Sequence, residues 1–335
     1  MLAVLVGCGF TAVAAVSIVW FFIHGRRLPS NGDHHQLIGA DKFVLITGSS
    51  SGMGRETAIA LDKLGFHVLA TCRTRKGEDS LRLDCSERMR TYVMDVSDTV
   101  SVRSVYQQIL QLLESEQQGL WGLVNNAGIL QVGPLDWQSL DSIKQTADVN
   151  LWGLIDVTKT FLPLLKKAKG RVVNMGSSCG RITLPYMVPY CISKYGVRAF
   201  SDGLRREMHA FGVEVVHIEA GAHKTKLLSG STLSQQWREL WNGLNPQQQA
   251  EYGEDNLTLG NSRAEEMLRF DTFASPETSA VTNTIVQALT SRTPKTNYLV
   301  GMDAKVFPLA NLLPTRFVDW TIRTMIRPLT PAVQS

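Results

Sequence analysis

Two side chains four positions apart could carry out proton transfer. Tyr190 and Lys194 lie on one face if their segment is helical, because residues i and i+4 of an α-helix are neighbours. Tyrosine has a reference pKa of about 10, which is too high for a base near neutral pH. An ammonium about 5 Å away, at an effective dielectric of ~20, favours the phenolate by roughly 3 kcal/mol, or about two pKa units. The pair is therefore predicted to exchange a proton with an alcohol or carbonyl oxygen, although an isolated pair at this spacing is usually only a surface pair.

A glycine-rich segment earlier in the chain has the composition of a phosphate-binding turn. It reads Thr47-Gly48-Ser49-Ser50-Ser51-Gly52-Met53-Gly54, between an apolar run and a helical stretch. Glycine lets the backbone turn sharply and approach a pyrophosphate, which then lies at the N-terminus of the following helix. A tight strand-to-helix turn without a ligand is the alternative. The residues expected to bind a nucleotide are Gly48, Ser50, Ser51, Gly52, Met53 and Gly54.

The order of apolar and polar segments indicates what positions these residues. Short apolar runs alternate with helical stretches near 53–64, 98–117, 150–168 and 190–211. This alternation is typical of a parallel sheet covered on both faces. The predicted fold class is therefore α/β, a Rossmann-type doubly wound parallel sheet in one domain, with about seven strands at 43–46, 67–71, 92–94, 122–125, 171–175, 213–218 and 297–301. The polar segment 228–275 is predicted to be a helical insertion near the substrate opening.

The motifs and their order over residues 43–225 resemble those of the short-chain dehydrogenase/reductase family. The glycine-rich loop is followed by Asp95-Val96, Asn125-Asn126-Ala127-Gly128, Asn150, Ser177 and the Tyr190-Cys191-Ile192-Ser193-Lys194 segment. The resemblance implies hydride transfer between a nicotinamide cofactor and an alcohol or carbonyl. It also implies cofactor contacts from Asp95 and Val96 at the adenine, and from Asn126, Ala127, Gly128, Tyr190, Lys194 and Thr225.

The resemblance assigns a role to each member of the catalytic group. Tyr190 is the general acid/base, Lys194 also binds the nicotinamide ribose, and Asn150 holds a water in a proton relay. Ser177 is preferred to Ser178 for holding the substrate oxygen, because it lies 13 positions before Tyr190, the usual interval in the family.

One departure from the family pattern lies after the sixth predicted strand. The chain has Ala220-Gly221 where the family has Pro-Gly, which frees the backbone of the loop over the nicotinamide. Gly221 and Thr225 are retained, so cofactor contact is expected to be kept.

The segment after the second strand bears on which cofactor is used. It reads Thr71-Cys72-Arg73-Thr74-Arg75-Lys76, with three bases and no acid. An acidic residue there would bind the ribose hydroxyls of NAD, whereas Arg73 or Arg75 could pair with the 2′-phosphate of NADP. We therefore expect NADP(H). NAD(H) is the alternative, because many similar members of the family prefer NAD and carry an uncharged residue in place of Arg73.

Further segments resemble a membrane-linked branch of the family, which includes retinol, 17β-hydroxysteroid and D-β-hydroxybutyrate dehydrogenases. They are 120–128, 199–205, 302–307 and 312–315. The resemblance implies a lipophilic secondary or allylic alcohol or carbonyl, of retinoid or steroid type. One alternative is a 3-hydroxybutyrate-type dehydrogenase, for which His223 or Lys224 would have to bind the carboxylate. Another is a non-catalytic nucleotide-binding scaffold.

The N-terminal composition predicts attachment to a membrane. Residues 2–23 contain no charged residue and no histidine, and 22 helical residues would reach about 33 Å, enough to cross a bilayer core. Arg26-Arg27 follow, which favours a catalytic domain on the cytosolic side. The expected membrane is that of the endoplasmic reticulum, with a mitochondrial membrane as the alternative. The expected organisation is an anchor over 1–24, a linker over 25–41, the dehydrogenase domain over 42–303 and a hydrophobic and basic tail over 304–335. The tail either lies on the membrane or packs on the domain.

Composition excludes several other classes of protein. A formal charge of +4 from 34 basic and 30 acidic residues is too small for a nucleic-acid-binding protein. Five cysteines without a CxxC pair, and seven histidines without an HExxH motif, predict neither a disulfide framework nor a metal site. The expected partners are a lipophilic small molecule, the membrane and a second copy of the chain in a homodimer, with no nucleic acid.

Overall fold

The computed structural model describes residues 41–223, 230–258 and 278–326. Its strands form one parallel sheet of seven, in the order β3-β2-β1-β4-β5-β6-β7. The doubly wound sheet predicted from the sequence is confirmed. The strands are β1 (Phe43–Ile46), β2 (His67–Cys72), β3 (Arg90–Val93), β4 (Leu120–Asn125), β5 (Arg171–Met175), β6 (Glu214–Ala220) and β7 (Asn297–Val300).

Alternate residues of each strand supply the two cores that the sheet separates. Val44 and Ile46 of β1 belong to one buried cluster, and Phe43 and Leu45 to the other. This division follows from the period of two along a strand, which sends successive side chains to opposite faces. Both faces are apolar because helices cover both, which is why the strands are continuous hydrophobic runs.

Helices connect the strands and cover the sheet. They are α1 (Gly52–Lys63), α2 (Arg75–Arg82), α3 (Thr99–Ser115), α4 (Leu140–Ala147), α5 (Leu154–Ala168), α6 (Val188–Met208), α7 (Gly230–Asn242), α8 (Pro246–Tyr252), α9 (Ser279–Thr290), α10 (Met302–Ala310) and α11 (Thr315–Met325). Within the described part of the predicted insertion 228–275, α7 and α8 are indeed helical.

Several element boundaries differ from the predictions, and the differences at the third strand and before α5 have physical reasons. The third strand begins at Arg90 rather than at residue 92, because the polar residues at its start pair with β2 through their backbone. The helix predicted over 150–168 is interrupted: a π-helical turn, Asp148–Gly153, precedes α5. Such turns are short bulges that are frequent at functional sites, and apolar periodicity does not reveal them.

Several predicted features lie outside the described residues. These are the anchor over 1–24, nearly all of the linker over 25–41, Lys224 and Thr225. Across the ranges that are described, no helix has both the length and the apolar character needed to span a membrane.

Candidate active site

The glycine-rich loop forms a cradle at the carboxyl end of β1. In the sheet β1 lies between β2 and β4, the point at which the strand order changes direction. Gly48 and Gly52 have φ of +71° and +57°, conformations that L-residues with a side chain rarely adopt. A Cβ on Gly54 would overlap the Gly48 carbonyl oxygen. The helix N-cap, Ser51, makes no side-chain hydrogen bond to α1, and the first turn of α1 holds no acidic residue. This close backbone and uncapped helix N-terminus fit the pyrophosphate of a dinucleotide.

Thr47 joins this loop to the end of β4, a role that the sequence analysis missed. Its Oγ1 accepts the backbone N–H groups of Asn126 and Ala127, both at 3.0 Å. The Asn126 amide donates back to the Thr47 and Gly48 carbonyls at 3.0 and 3.1 Å. Asn126 and Ala127 therefore lie beside the glycine-rich loop, and Asn126 shapes that loop; their contact with a cofactor stays a prediction. A threonine directly after the first apolar strand was the available signal.

The segment after β2 packs against the glycine-rich loop. Gly77 packs on Ser50, since a Cβ on Gly77 would lie 2.7 Å from the Ser50 Cβ. The start of α2 is thus held against the phosphate loop, and Arg73 is exposed just before it.

Asp95 and Val96 occupy the turn that follows β3. The Asp95 carboxylate accepts the Ser97 backbone N–H at 2.9 Å and the Ser97 hydroxyl at 2.6 Å. Val96 is buried beside Gly153. Their contact with adenine stays a prediction.

The structure brings Ser177, Tyr190 and Lys194 together. The Ser177 hydroxyl lies close enough to the Tyr190 phenol to lower its pKa, and it accepts the Cys179 backbone N–H at 3.1 Å. Lys194 Nζ lies 5.6 Å from the centre of the Tyr190 ring and donates to the Met175 carbonyl at 2.9 Å. The short helical turn after β5 and the first turns of α6 thus place a phenol, a hydroxyl and an ammonium in one cleft.

Burial dominates the protonation of this group. It raises the pKa of Tyr190 above its ordinary value, and the Ser177 hydroxyl opposes this only in part. Burial also lowers the pKa of Lys194 to about 8. In this geometry burial outweighs any lowering of the Tyr190 pKa by Lys194, whose ammonium donates to a backbone carbonyl. That Lys194 favours the phenolate during proton transfer stays a prediction.

Asn150 connects the β4 loop to α6. Its Oδ1 accepts the Ile129 N–H at 2.7 Å, and its Nδ2 donates to the Ile129 carbonyl at 2.8 Å and to Ser193 Oγ at 3.1 Å. Ser193 in turn donates to the Tyr190 carbonyl at 2.7 Å. Both N–H groups of Asn150 are therefore engaged within the protein. Its predicted contact with a water stays a prediction, and Gly128 lies beside its Oδ1.

Ser178 has a different partner from Ser177. Its hydroxyl is 3.1 Å from the carboxylate of Asp303, which also accepts the Ala222 N–H at 2.9 Å. Asp303 therefore ties together the loops after β5 and β6, and a Cβ on Gly221 would overlap it. This contact agrees with the choice of Ser177 for the reacting oxygen. Asp303 was missed because it lies far along the chain.

An apolar wall stands beside Tyr190. Buried side chains from four segments form it, with Tyr186 and Tyr190 against them: Leu130, Val132, Cys179, Met187, Cys191 and Leu233. An adjoining cluster contains Trp137, Trp237, Trp241 and Leu244. Gln236 of α7 joins that helix to the segment of Leu130 and Val132. It donates to the Leu130 carbonyl at 3.0 Å and accepts the Val132 N–H at 3.2 Å.

A dinucleotide cradle beside a Ser, Tyr and Lys group defines an NAD(P)-dependent oxidoreductase that acts on CH–OH groups. The model of the family described as short chain dehydrogenase matches residues 42–236, and the chain belongs to this family.

The chain is similar to two kinds of curated protein. It is 43% identical to retinol dehydrogenase 16 of Rattus norvegicus, over 84% of this chain and 89% of that protein. It is 41% identical to short-chain dehydrogenase/reductase family 9C member 7 of Bos taurus, over 86% and 91%. A solved short-chain dehydrogenase from Streptomyces avermitilis has the same fold, with a TM-score of 0.66 over 86% of this chain and 97% of that one, at 23% identity.

Proposed function

We propose that this chain transfers a hydride between NADP(H) and a lipophilic secondary or allylic alcohol or its carbonyl, of retinoid or steroid type, with Tyr190 as general acid/base. The observation that carries the proposal is the apolar wall beside Tyr190 and Ser177. A wall of this composition stabilises a hydrocarbon substrate by removing apolar surface from water, by about 25 cal/mol per Å². The similarity to retinol dehydrogenase 16 supports the same substrate class.

The proton step follows from the contacts of the two hydroxyls. A substrate oxygen between the neighbouring hydroxyls of Tyr190 and Ser177 would be held by Ser177 while Tyr190 gives or takes its proton. Lys194 supplies a positive charge behind the phenol, which favours the phenolate when the proton leaves. The nicotinamide cofactor, when bound in the glycine-rich cradle, supplies or accepts the hydride.

Replacing Tyr190 tests this assignment. We expect Tyr190→Phe to lose at least about 100-fold in turnover, the lower range for a general acid/base, while nucleotide affinity stays within about twofold. Tyr195→Phe is the matched control, because Tyr195 is an exposed tyrosine on the same helix. Turnover by Tyr190→Phe equal to that of the control would exclude Tyr190 as the acid/base.

A panel of substrates separates the candidate reactions. Retinoids, hydroxysteroids and 3-hydroxybutyrate would be offered with both cofactors to membranes that contain the full-length protein. We expect turnover of a retinoid or steroid and none of 3-hydroxybutyrate. His223, one of the two candidates for binding a carboxylate, is buried with Nδ1 2.8 Å from the Gly221 carbonyl. Absence of turnover across the whole panel would favour the scaffold hypothesis.

The preference for NADP(H) is proposed from the surroundings of Arg73. It is exposed and makes no ion pair with any residue in the described ranges, so its guanidinium is available to a 2′-phosphate. Glu78, the nearest acid along the chain, is buried and accepts the Thr91 hydroxyl at 2.7 Å. We expect Arg73→Gln to raise the KM for NADP(H) about tenfold and leave that for NAD(H) unchanged. Arg103→Gln, at an exposed site on α3, is the control.

Attachment to the endoplasmic reticulum membrane, with the catalytic domain cytosolic, is also proposed. Its support is the uncharged segment 2–23 and an apolar surface on α10 and α11. At this surface at least half of each of the side chains of Leu309, Phe317 and Trp320 is exposed, and Arg316 is adjacent in sequence. Exposed aromatic and basic side chains on one surface suit the lipid interface. Protease digestion of sealed microsomes should cut the domain from outside, whereas protection would place it in the lumen.

The surface on α10 and α11 can be tested separately from the anchor. Phe317→Ser with Trp320→Ser should raise the KM for a substrate presented in vesicles, while turnover of a water-soluble alcohol is unchanged. Val100→Ser, which alters an exposed apolar residue on α3, is the control. Equal KM values for the variant and the control would exclude a role for this surface in substrate entry.

A further inference from the structure

The turn that carries Ser177 is attached to strand β6 at both of its ends. The N–H of Gly176, directly before Ser177, donates to the Ile218 carbonyl at 2.8 Å. Four residues after Ser177, the Arg181 guanidinium binds the carboxylate of Glu219, the next residue of β6. Ser177 therefore lies in a short segment whose two ends meet adjacent residues of one strand.

The ion pair between Arg181 and Glu219 is bidentate and largely buried. Arg181 Nη2 donates to Glu219 Oε1 at 2.7 Å, and its Nε donates to Oε2. The side chain of Glu219 is 1% exposed and that of Arg181 is 16% exposed. Asn297 on β7 donates to the same Oε1 at 2.9 Å. Because two parallel hydrogen bonds between planar groups fix direction as well as distance, Glu219 holds the end of the turn in a defined place relative to β6 and β7.

Contacts within the turn give it a shape, whereas contacts with other elements give it a position. The N–H groups of Gly180 and Arg181 donate to the carbonyls of Ser177 and Ser178, at 2.9 and 3.0 Å. These bonds would survive if the turn moved as a unit. The Ser178 hydroxyl attaches the turn to the start of α10, and the Arg181 side chain attaches it to Glu219 by two charge-assisted bonds, which are stronger than a neutral one.

We infer that Arg181 and Glu219 form a positioning pair, which holds the turn so that the Ser177 hydroxyl stays in place beside Tyr190. The effect on turnover rests on the proposed function, in which Ser177 holds the substrate oxygen. The pair acts through the location of that hydroxyl and transfers no proton. A displacement of about 1 Å at such a site costs on the order of 100-fold in rate. The glycine-rich cradle is formed by other segments, so nucleotide affinity is expected to be kept.

Substitutions of Arg181 separate kcat from KM. Arg181→Met keeps an unbranched apolar stem and removes the guanidinium, so kcat should fall about 100-fold while the KM for the nucleotide stays within about twofold. Arg181→Lys keeps the charge without the planar fork, so it should restore part of the rate and lose only about tenfold. Arg205→Met is the matched control, because Arg205 forms an ion pair with Asp202 at 2.7 Å within α6 and does not belong to the turn. A fall in kcat no larger than that of the control would overturn the inference.

Two double variants distinguish positioning from a general loss of stability. In a chain that carries Ser177→Ala, Arg181→Met should cost less than about threefold in kcat, because the hydroxyl that it places is absent. Arg181→Met with Glu219→Gln removes the unpaired buried carboxylate and keeps an acceptor for Asn297, so the urea midpoint should return toward that of the unaltered chain while kcat stays low. An equal loss of kcat with and without Ser177, or a return of kcat together with the midpoint, would refute the positioning role.

Hydrogen exchange reads the position of the turn without reference to activity. The full-length unaltered protein, Arg181→Met and Arg205→Met would be exchanged in deuterium oxide, and the peptides that cover 176–181 would be followed by mass spectrometry. These amides should exchange faster in Arg181→Met alone, because the turn opens from β6 more often. Unchanged exchange would overturn the inference whatever the rates of turnover. Faster exchange, in a protein whose unaltered form turns over no alcohol or carbonyl, would count against the proposed function and not against the attachment of the turn.

Discussion

His217 lies within a buried polar row that crosses the sheet beneath the catalytic group. It is in register with Asn174 on β5 and with Asn297 on β7. Its Nδ1 is 3.3 Å from the Ser201 hydroxyl, and its Nε2 is 3.9 Å from Glu219. The imidazole fills the space at Gly176, where a Cβ would overlap it, so this histidine lies directly under the strand end that carries Ser177.

The cost of protonating His217 can be worked from its surroundings. Burial lowers its pKa from 6.5 to about 4, opposed by Glu219 and reinforced by Lys194 and Arg198, with Asp202 also opposing. The unfolded chain therefore binds a proton between pH 6.5 and pH 4 that the folded chain does not. Stability from this residue is present above pH 6.5 and is lost as pH falls through that window. Linkage gives a loss of about 2 kcal/mol between pH 7 and pH 5.

Chemical unfolding measures this loss directly. The free energy of unfolding of the full-length protein would be determined in urea from pH 7.5 to pH 4.5, for the unaltered chain and for His217→Gln. The difference between the two curves should change by about 2 kcal/mol from pH 7 to pH 5, whatever the variant's absolute stability. His209→Gln, at an exposed position, should leave the curve parallel to that of the unaltered chain. Parallel curves for His217→Gln would refute the reasoning.

Three further substitutions follow from local geometry. Gly54→Ala should weaken nucleotide binding about 100-fold by calorimetry, because its Cβ overlaps the Gly48 carbonyl; unchanged affinity would contradict the cradle. Gly203→Ala meets no atom within 4 Å in the middle of a helix, so it should raise stability by about 0.5–1 kcal/mol and leave nucleotide affinity unchanged. Asp303→Ala should cost about 2–3 kcal/mol in urea unfolding, because the Ser178 hydroxyl loses its acceptor; an unchanged midpoint would show that the contact is replaced.

The sheet was predictable because its pattern is carried by adjacent residues. Val44, Leu45 and Ile46 are apolar one after another, which indicates a strand buried on both faces without knowledge of its neighbours. The π-helical turn Asp148–Gly153 was not predictable in this way. Apolar periodicity does not separate a π-helical turn from an α-helical one. What the structure adds is the contact between Asn150 and the Ile129 backbone, 21 positions away.

The proximity of the proposed catalytic residues was predictable, whereas their electrostatics were not. Spacing placed Tyr190 and Lys194 on one helix face, and the structure brings them together. The effect of one on the other depends on which atom Lys194 faces and on how far both are from water. Those are properties of the packed cleft, set by Met175 on a neighbouring strand. A charge that is near in sequence therefore does not determine a pKa until burial is known.

The choice between two adjacent serines shows how distant residues define an active site. Ser177 and Ser178 have the same chemistry and differ by one position, so each could hold a substrate oxygen. Asp303, 125 positions beyond Ser178, takes the hydroxyl of Ser178 into a buried hydrogen bond. A buried carboxylate needs such donors, because an unpaired one is costly. The contact that stabilises the loops after β5 and β6 thereby engages Ser178 and leaves the Ser177 hydroxyl outside it. Which of the two serines is available to a substrate is thus a consequence of satisfying a polar atom elsewhere in the fold.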